Sequence, residues 1–239
     1  MDRRSGARCY NVNQGSNLVP GLKVGYELID DFLSDNQLNS INSELMDVSF
    51  PDKAGGIRNA EKKYSSIRNI AASDELMAYV NKYLSGDASL VRAILFNKTS
   101  ENNWLVTWHQ DRTVTVSEKI EENGWGPWSI KDEVLHVQPP VSVLEQMVTF
   151  RIHLDDTCLE NGCLKVLPNS HKLGILDPCA IKKYTQSHEA VACEAPAGSA
   201  LVMRPHILHS SSKAIFPTQR RVLHLEYSSF KLPLGVSWA

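Results

Sequence analysis

No stretch of the 239 residues comes near the run of about 20 apolar side chains that crosses a bilayer. The opening Met1-Asp2-Arg3-Arg4-Ser5-Gly6 leads into no apolar signal core, so export is disfavoured and a cytoplasmic location is expected. Cysteine is sparse. Cys9, Cys158, Cys163, Cys179 and Cys193 are odd in number and form no Cys-x-x-Cys pair, which excludes a disulfide framework and a zinc ribbon and leaves reduced thiols. An excess of one charge is also missing: 25 Lys and Arg stand against 27 Asp and Glu. The basic residues gather only in pairs such as Lys62-Lys63, Lys182-Lys183 and Arg220-Arg221, so there is no electrostatic case for a nucleic acid partner. No internal repeat or low-complexity tract is visible.

What is present is a chain that is 42% hydrophobic and long enough to bury a substantial core as one domain, 1–239. Residues 1–23 mix Arg, Gly, Asn and Ser without periodicity and read as an N-terminal arm. In the helical flank, 24–88, Leu38, Ile41, Leu45 and Val48 recur at helical spacing behind a cap at Ser34 or Asp35, with Pro51 marking the end. A second helix follows a Ser73 cap, with Leu76, Met77, Val80 and Leu84 on one stripe and Gly86 beyond it. The glycine-bearing segment 54–59 lacks the spacing of a phosphate cradle and reads as a turn, with contact of Arg58 or Asn59 to a ligand as the lesser alternative.

The texture changes at Ser89 to short runs rich in Val, Ile, Leu, Thr and aromatics, broken by Gly, Pro, Asn and Asp. Strands are expected at Leu90–Asn97, Trp104–His109, Met147–Leu154, Cys163–Leu167, Val191–Ala195, Ser199–Met203 and Arg220–Ser228. Strands that follow one another without helical crossovers indicate a mainly β fold, an antiparallel sandwich or barrel over 89–230 with flanking helices. The insertion at 113–146 is long for a compact domain and reads as lid-like. Its Trp125 and Trp128 suit an apolar substrate, with His136 and Gln138 as polar contacts.

The chemistry begins at Trp108-His109-Gln110-Asp111. Alternate side chains on a strand share a face, so His109 and Asp111 offer an imidazole nitrogen and a carboxylate oxygen to one small volume. His153-Leu154-Asp155 fits the same pattern, so the motif alone does not choose between the two copies. A further ligand must come from elsewhere, and His206 and His209 are both available. They are three apart, so on an extended strand they point to opposite faces and one of them at most is a ligand. Arg220 opens the next strand-like run eleven positions after His209, close enough for a short hairpin to bring both into one cavity. Two His and one carboxylate leave about three metal positions open, the arrangement of Fe(II) enzymes that bind a co-substrate and dioxygen. An arginine fork fits the carboxylate of such a co-substrate bidentately.

The sequence resembles the phytanoyl-CoA dioxygenase family of Fe(II)/2-oxoglutarate oxygenases. The likeness runs from Leu90 to about Tyr227. It is carried by Trp108-His109-Gln110-Asp111, by Asn161-Gly162-Cys163-Leu164-Lys165-Val166-Leu167-Pro168-Asn169-Ser170-His171, and by the segment from His209 to Arg220. It implies a double-stranded β-helix, a cupin-like jelly roll. It implies iron ligands His109, Asp111 and His209, and Arg220 as partner of the distal 2-oxoglutarate carboxylate. Ser211 and Gln110 match positions that line the same pocket, and Arg151, on one strand face with Thr149 and His153, either adds a second charge there or makes a plain structural ion pair. The family places a non-ligand strand end at His153-Leu154-Asp155. The implied activity is hydroxylation of a small or medium-sized organic molecule, with 2-oxoglutarate and dioxygen consumed and succinate and CO2 released. The rival readings are a jelly roll that binds metal or ligand without turnover, and a cupin-like isomerase or hydrolase that has no role for Arg220.

Overall fold

The structure, a computed structural model, describes residues 22–48, 50, 56–216 and 219–239. Nearly all of the expected N-terminal arm, and the helix end expected at Pro51, lie outside the described residues. In chain order come β1 (Tyr26–Ile29), α1 (Asp35–Glu44), β2 (Ile57–Arg58), α2 (Ala60–Lys63), α3 (Ser65–Ala71), α4 (Asp74–Tyr83) and β3 (Ser89–Lys98). Then follow β4 (Val106–His109), β5 (Val114–Val116), β6 (Trp128–Lys131), β7 (Val134–Val137), α5 (Val141–Leu144), β8 (Met147–His153) and β9 (Leu164–Val166). A 3-10 turn at Ser170–Leu173 precedes α6 (Pro178–Ser187), β10 (Val191–Cys193), β11 (Ala200–Met203), β12 (His209–Ser211) and β13 (Arg220–Ser228).

Eight of these strands alternate between two facing antiparallel sheets. The larger sheet runs β1-β11-β8-β13-β3-β2 and the smaller β10-β9-β12-β4. Strands β3, β8, β11 and β13 fall in the first and β4, β9, β10 and β12 in the second, the winding of a double-stranded β-helix. The segment read only as helical also supplies β1 and β2, which pair with β11 and β3 at the two edges of the larger sheet. A two-residue strand and a Tyr-Glu-Leu-Ile segment are too short for alternation to be read from sequence alone.

Period-two alternation separates the two faces of the larger sheet. On β8 and β13, Val148, Phe150, Ile152, Leu223, Leu225 and Tyr227 point outward into a core shared with the helices. That core is completed by Ile41 and Leu45, by Ile67 and Ile70 of α3, and by Leu76 and Val80 of α4. The helices are capped as their sequences suggest. Ser34 and Gln37 form a capping box on α1, and Ser73 Oγ accepts from Leu76 N at 3.2 Å. The opposite face of the sheet carries Arg92 and Lys98 on β3, Arg151 on β8, and Arg220, His224 and Glu226 on β13, so the barrel interior holds charged side chains.

The 113–146 insertion contains a small antiparallel sheet, β5-β7-β6, followed by α5. It packs on the C-terminal tail through Val116, Leu135, Leu232, Val236 and Trp238, and Ser117 N donates to Ser237 O at 2.9 Å. The segment read as a loop after Leu173 holds α6, whose start carries Asp177 as N-cap and Pro178 in its first turn.

Candidate functional site

Strand β4 ends at His109, and the chain is then pinned by the Asp111 N–H, which donates to Pro205 O at 3.0 Å. Pro205 lies in the turn that leads into β12, where His209 is the register partner of His109. The two imidazoles therefore lie side by side, with ring centroids 4.2 Å apart. Asp111 sits between them: Oδ1 is 3.4 Å from His109 Nε2, and Oδ2 is 3.5 Å from His209 Nε2. Ligand atoms bound at about 2.1 Å to one ion lie roughly 3–3.5 Å apart, so the spacing fits a shared metal. The ring tautomers fit as well. Each Nδ1 lies 2.9 Å from a backbone carbonyl, Thr107 O for His109 and Ile207 O for His209, which places the proton on Nδ1 and leaves the Nε2 lone pair free.

The other histidine choices are elsewhere. His206 is buried with its ring 6.2 Å from that of His171, so it is His209 that stands at Asp111. In the second His-x-Asp copy, Asp155 is held by Arg221 through contacts of 2.7 and 2.9 Å and by the Arg221 N–H at 2.7 Å. His153 is buried, and burial pushes its pKa down to about 3.

A cavity of about 340 Å³ opens from His109, Asp111 and His209. Arg220 lines it, only 5% exposed, and no carboxylate, carbonyl or hydroxyl among the described residues pairs with it. Burial, and then the charge of Arg151, bring its pKa down to about 10. Lys98 lies beside it and donates to Ser211 Oγ at 2.9 Å and Ser212 O at 2.7 Å. Burial, followed by the charges of Arg220 and Arg151, lowers Lys98 to about 8. Ser211 in turn donates to Gly162 O at 2.8 Å. Gly162 has φ +77°, and a Cβ there would stand 2.5 Å from Ser212 O, so glycine is required where the Asn-Gly-Cys turn meets the pocket.

Arg151 also faces the cavity, and its Nη1 meets His224 Nδ1 at 2.9 Å. His224 Nε2 lies 2.8 Å from Glu226 Oε1, and Arg92 Nη2 donates to that same oxygen at 2.7 Å. His224 and Glu226 also come within ligand-atom reach of Asp111.

Four of the expected pocket residues are placed differently. Gln110 alternates away from its neighbours: its Nε2 donates to Gly174 O and His206 O at 2.7 Å each, and its Oε1 accepts from Leu176 N at 2.8 Å. It fixes the loop before α6 and does not line the cavity. Trp125 packs in the side cluster of the insertion, 6.2 Å from Phe230, and Gln138 is occupied with backbone pairing to Gly126 and Pro127. Thr149 is buried on the strand face of Arg151 but does not reach the cavity lining. His136, Arg58, Ser211 and Arg151 do line it.

Lys98, Arg92 and Glu226 were not singled out from sequence. The signal was in β3 and β13, where Arg92 and Lys98 share one face with Ile94 and Phe96, and Glu226 shares one with Arg220 and His224. Charged residues at alternate positions of a long apolar strand mean an enclosed polar cavity when the other face is buried.

The family model for phytanoyl-CoA dioxygenase (PhyH) matches residues 22–222. The chain belongs to the phytanoyl-CoA dioxygenase family. This is a family of iron- and 2-oxoglutarate-dependent enzymes. No curated protein matches the sequence. Among solved structures, this family member is similar to the epimerase SnoN in complex with Fe3+, α-ketoglutarate and nogalamycin RO, with TM-score 0.65, 15% identity, and 90% of this chain and 82% of that one covered. HygX from Streptomyces hygroscopicus with nickel and 2-oxoglutarate bound has TM-score 0.61 and 15% identity over 86% of this chain and 83% of its own. AviO1 from Streptomyces viridochromogenes Tue57 has TM-score 0.63 and 18% identity over 88% and 92%. At these identities the likeness establishes the jelly-roll fold.

Proposed function

We propose that this chain is an Fe(II)- and 2-oxoglutarate-dependent dioxygenase that hydroxylates a small or medium-sized organic substrate. The observation that carries the reading is the convergence of His109, Asp111 and His209 on one point of a cavity that also holds Arg220, a buried guanidinium with no hydrogen-bond or carboxylate partner among the described residues. A structural metal would be closed off by a fourth protein ligand; here the open side faces cations, as a dicarboxylate co-substrate requires.

In this reading His109 and His209 give their Nε2 lone pairs and Asp111 one carboxylate oxygen to the ferrous ion. A ferrous ion held there would supply, with 2-oxoglutarate and dioxygen, an oxidant able to remove hydrogen from a C–H bond, with succinate and CO2 released. Arg220 holds the far carboxylate in its planar fork, and Lys98 and Ser211 stand at its side. Arg151, anchored by His224, adds a second guanidinium to the same region. Ile94, Phe96, Trp104, Val106 and Leu164 wall the cavity with apolar surface and so keep water from the reacting atoms. Asp111 would hold the ion as a carboxylate ligand, and the chemistry such an ion would supply is hydroxylation rather than halogenation.

The test is succinate formation and oxygen uptake by purified protein with Fe(II) and 2-oxoglutarate across a metabolite panel. Arg220→Gln is expected to raise the KM for 2-oxoglutarate at least about tenfold, corresponding to about 1.4 kcal/mol, with Fe(II) affinity kept. A product carrying one oxygen atom from labelled dioxygen supports hydroxylation. SnoN is an epimerase and SnoK a carbocyclase, so an epimerised or cyclised product without that atom would replace hydroxylation by one of those outcomes. Metal binding with no succinate from any substrate would favour a binding protein, and turnover without 2-oxoglutarate would favour a cupin-like isomerase or hydrolase.

A further inference from the structure

The cavity carries more positive charge than the proposed co-substrate consumes. Its lining includes Arg58, Arg92, Lys98, Lys131, Arg151 and Arg220, but Asp111 alone among carboxylates. Glu226 offsets Arg92 at 2.7 Å, and Asp132 offsets Arg58 at 2.9 Å. Lys98, Lys131, Arg151 and Arg220 have no carboxylate partner among the described residues. The ferrous ion, the Asp111 carboxylate and a dianionic 2-oxoglutarate together carry one negative charge. Against those four cations, three positive charges remain. Lys131 is exposed, but Lys98, Arg151 and Arg220 are buried, and leaving two of their charges unpaired in the interior is costly unless a further anion enters.

A further cationic cluster lies at the rim, where Arg58 and Arg92 keep their carboxylate partners and Lys131 has none among the described residues. Arg58 comes from β2 at one edge of the larger sheet, next to β3, which supplies Arg92. Lys131 and His136 come from β6 and β7 of the inserted sheet. Asp132 at the tip of that hairpin reaches Arg58, so the two parts meet across the cavity opening. His136 is 2% exposed and its Nδ1 has no hydrogen-bond partner, and Arg92 Nε is likewise unpaired. Burial and the charges of Arg92, Lys131 and Arg58 hold His136 down to about 4, so it enters the site as a neutral ring with a free polar nitrogen. Ile94, Phe96 and Trp104 line the same cavity with apolar surface.

We propose that Arg58, Lys131, His136 and Arg92 form a second anion site, which takes the carboxylate or phosphate of the primary substrate and lays its apolar body on Ile94, Phe96 and Trp104. The substrate class is thus an amphipathic organic anion. This rests on the oxygenase reading for the word substrate, but the anion site itself does not need it.

The experiment uses the full chain loaded with Mn(II) and N-oxalylglycine, an inert analogue that fills the 2-oxoglutarate position. Inorganic phosphate, benzoate and neutral benzamide are titrated separately and followed by calorimetry. Saturable binding of phosphate or benzoate, absent for benzamide, is expected. Arg58→Ala and Lys131→Glu are each expected to weaken it at least about tenfold. Both positions are partly exposed, so these variants fold, and the Arg58 ion pair contributes little to stability. Preference for phosphate over benzoate, or the reverse, distinguishes the two sources of negative charge. No saturable anion binding, equal binding of benzamide, or binding unchanged in both variants would overturn the proposal. If the wild type fails to take up N-oxalylglycine but still binds the anion in an Arg58- and Lys131-dependent way, the oxygenase reading falls and the anion site stands.

Discussion

Arg151 and His224 are register partners on adjacent strands of the larger sheet, and the guanidinium Nη1 lies 2.9 Å from the imidazole Nδ1. Because arginine only donates, Nδ1 must be the acceptor, and the ring proton sits on Nε2, which donates to Glu226 Oε1 at 2.8 Å. One histidine tautomer therefore ties the cationic interior to a buried carboxylate that also binds Arg92.

His224→Leu removes the acceptor of Arg151 and one donor to Glu226, both in the dry interior. The expected loss of folding stability is about 1–3 kcal/mol for each buried polar group left unpaired. Urea denaturation of wild type and variant checks it, and an unchanged midpoint would mean that the contact does not hold in solution.

The second His-x-Asp copy is a structural one, since Asp155 is spent on Arg221. Asp155→Ala should cost about 1–3 kcal/mol in stability while the Mn(II) dissociation constant stays within a factor of two. Parallel metal titration and denaturation measure both, and a loss of metal affinity would show that the wrong copy had been chosen.

Acid should destabilise the metal-free fold early. Burial holds His153 down to about 3 and His171 and His206 down to about 4, against about 6.5 in the unfolded chain. The folded state thus binds fewer protons than the unfolded state below pH 6.5 or so. Stability is full above that value and is lost as pH falls through the interval down to about 4 and then 3. Denaturation midpoints taken across this range should decline, and His153→Leu should flatten part of the slope. A profile flat from about pH 7 to 4 would contradict the assignment.

Much of this was legible in the sequence, for identifiable reasons. The seven strand runs and the two capped helices at Ser34 and Ser73 carry strong local patterns, and the structure keeps them within a few residues. The candidate metal side chains were legible because two of them sit in one strand-end motif, and their neighbour Gln110 was misassigned because strand alternation sends it to the other face. The short edge strands β1 and β2 have too few residues to show a period. Helix α6 buries no side chain and so lacks an apolar stripe, although Asp177-Pro178 marks its start. The tryptophans of the insertion looked suited to a substrate, but Trp125 and Trp128 instead pack beside the C-terminal tail, a long-range contact that no local pattern encodes.

The proposed function requires that His109, Asp111 and His209 together hold one ferrous ion in the cavity that Arg220 lines. Anaerobic titration of the purified chain with Fe(II), followed by 2-oxoglutarate, measures this directly through the visible charge-transfer absorption of the chelated keto acid. One iron per chain is expected, with absorption that appears only when 2-oxoglutarate is added and is lost in Asp111→Ala and His209→Ala. Equal iron binding and equal absorption in wild type and both variants would contradict it.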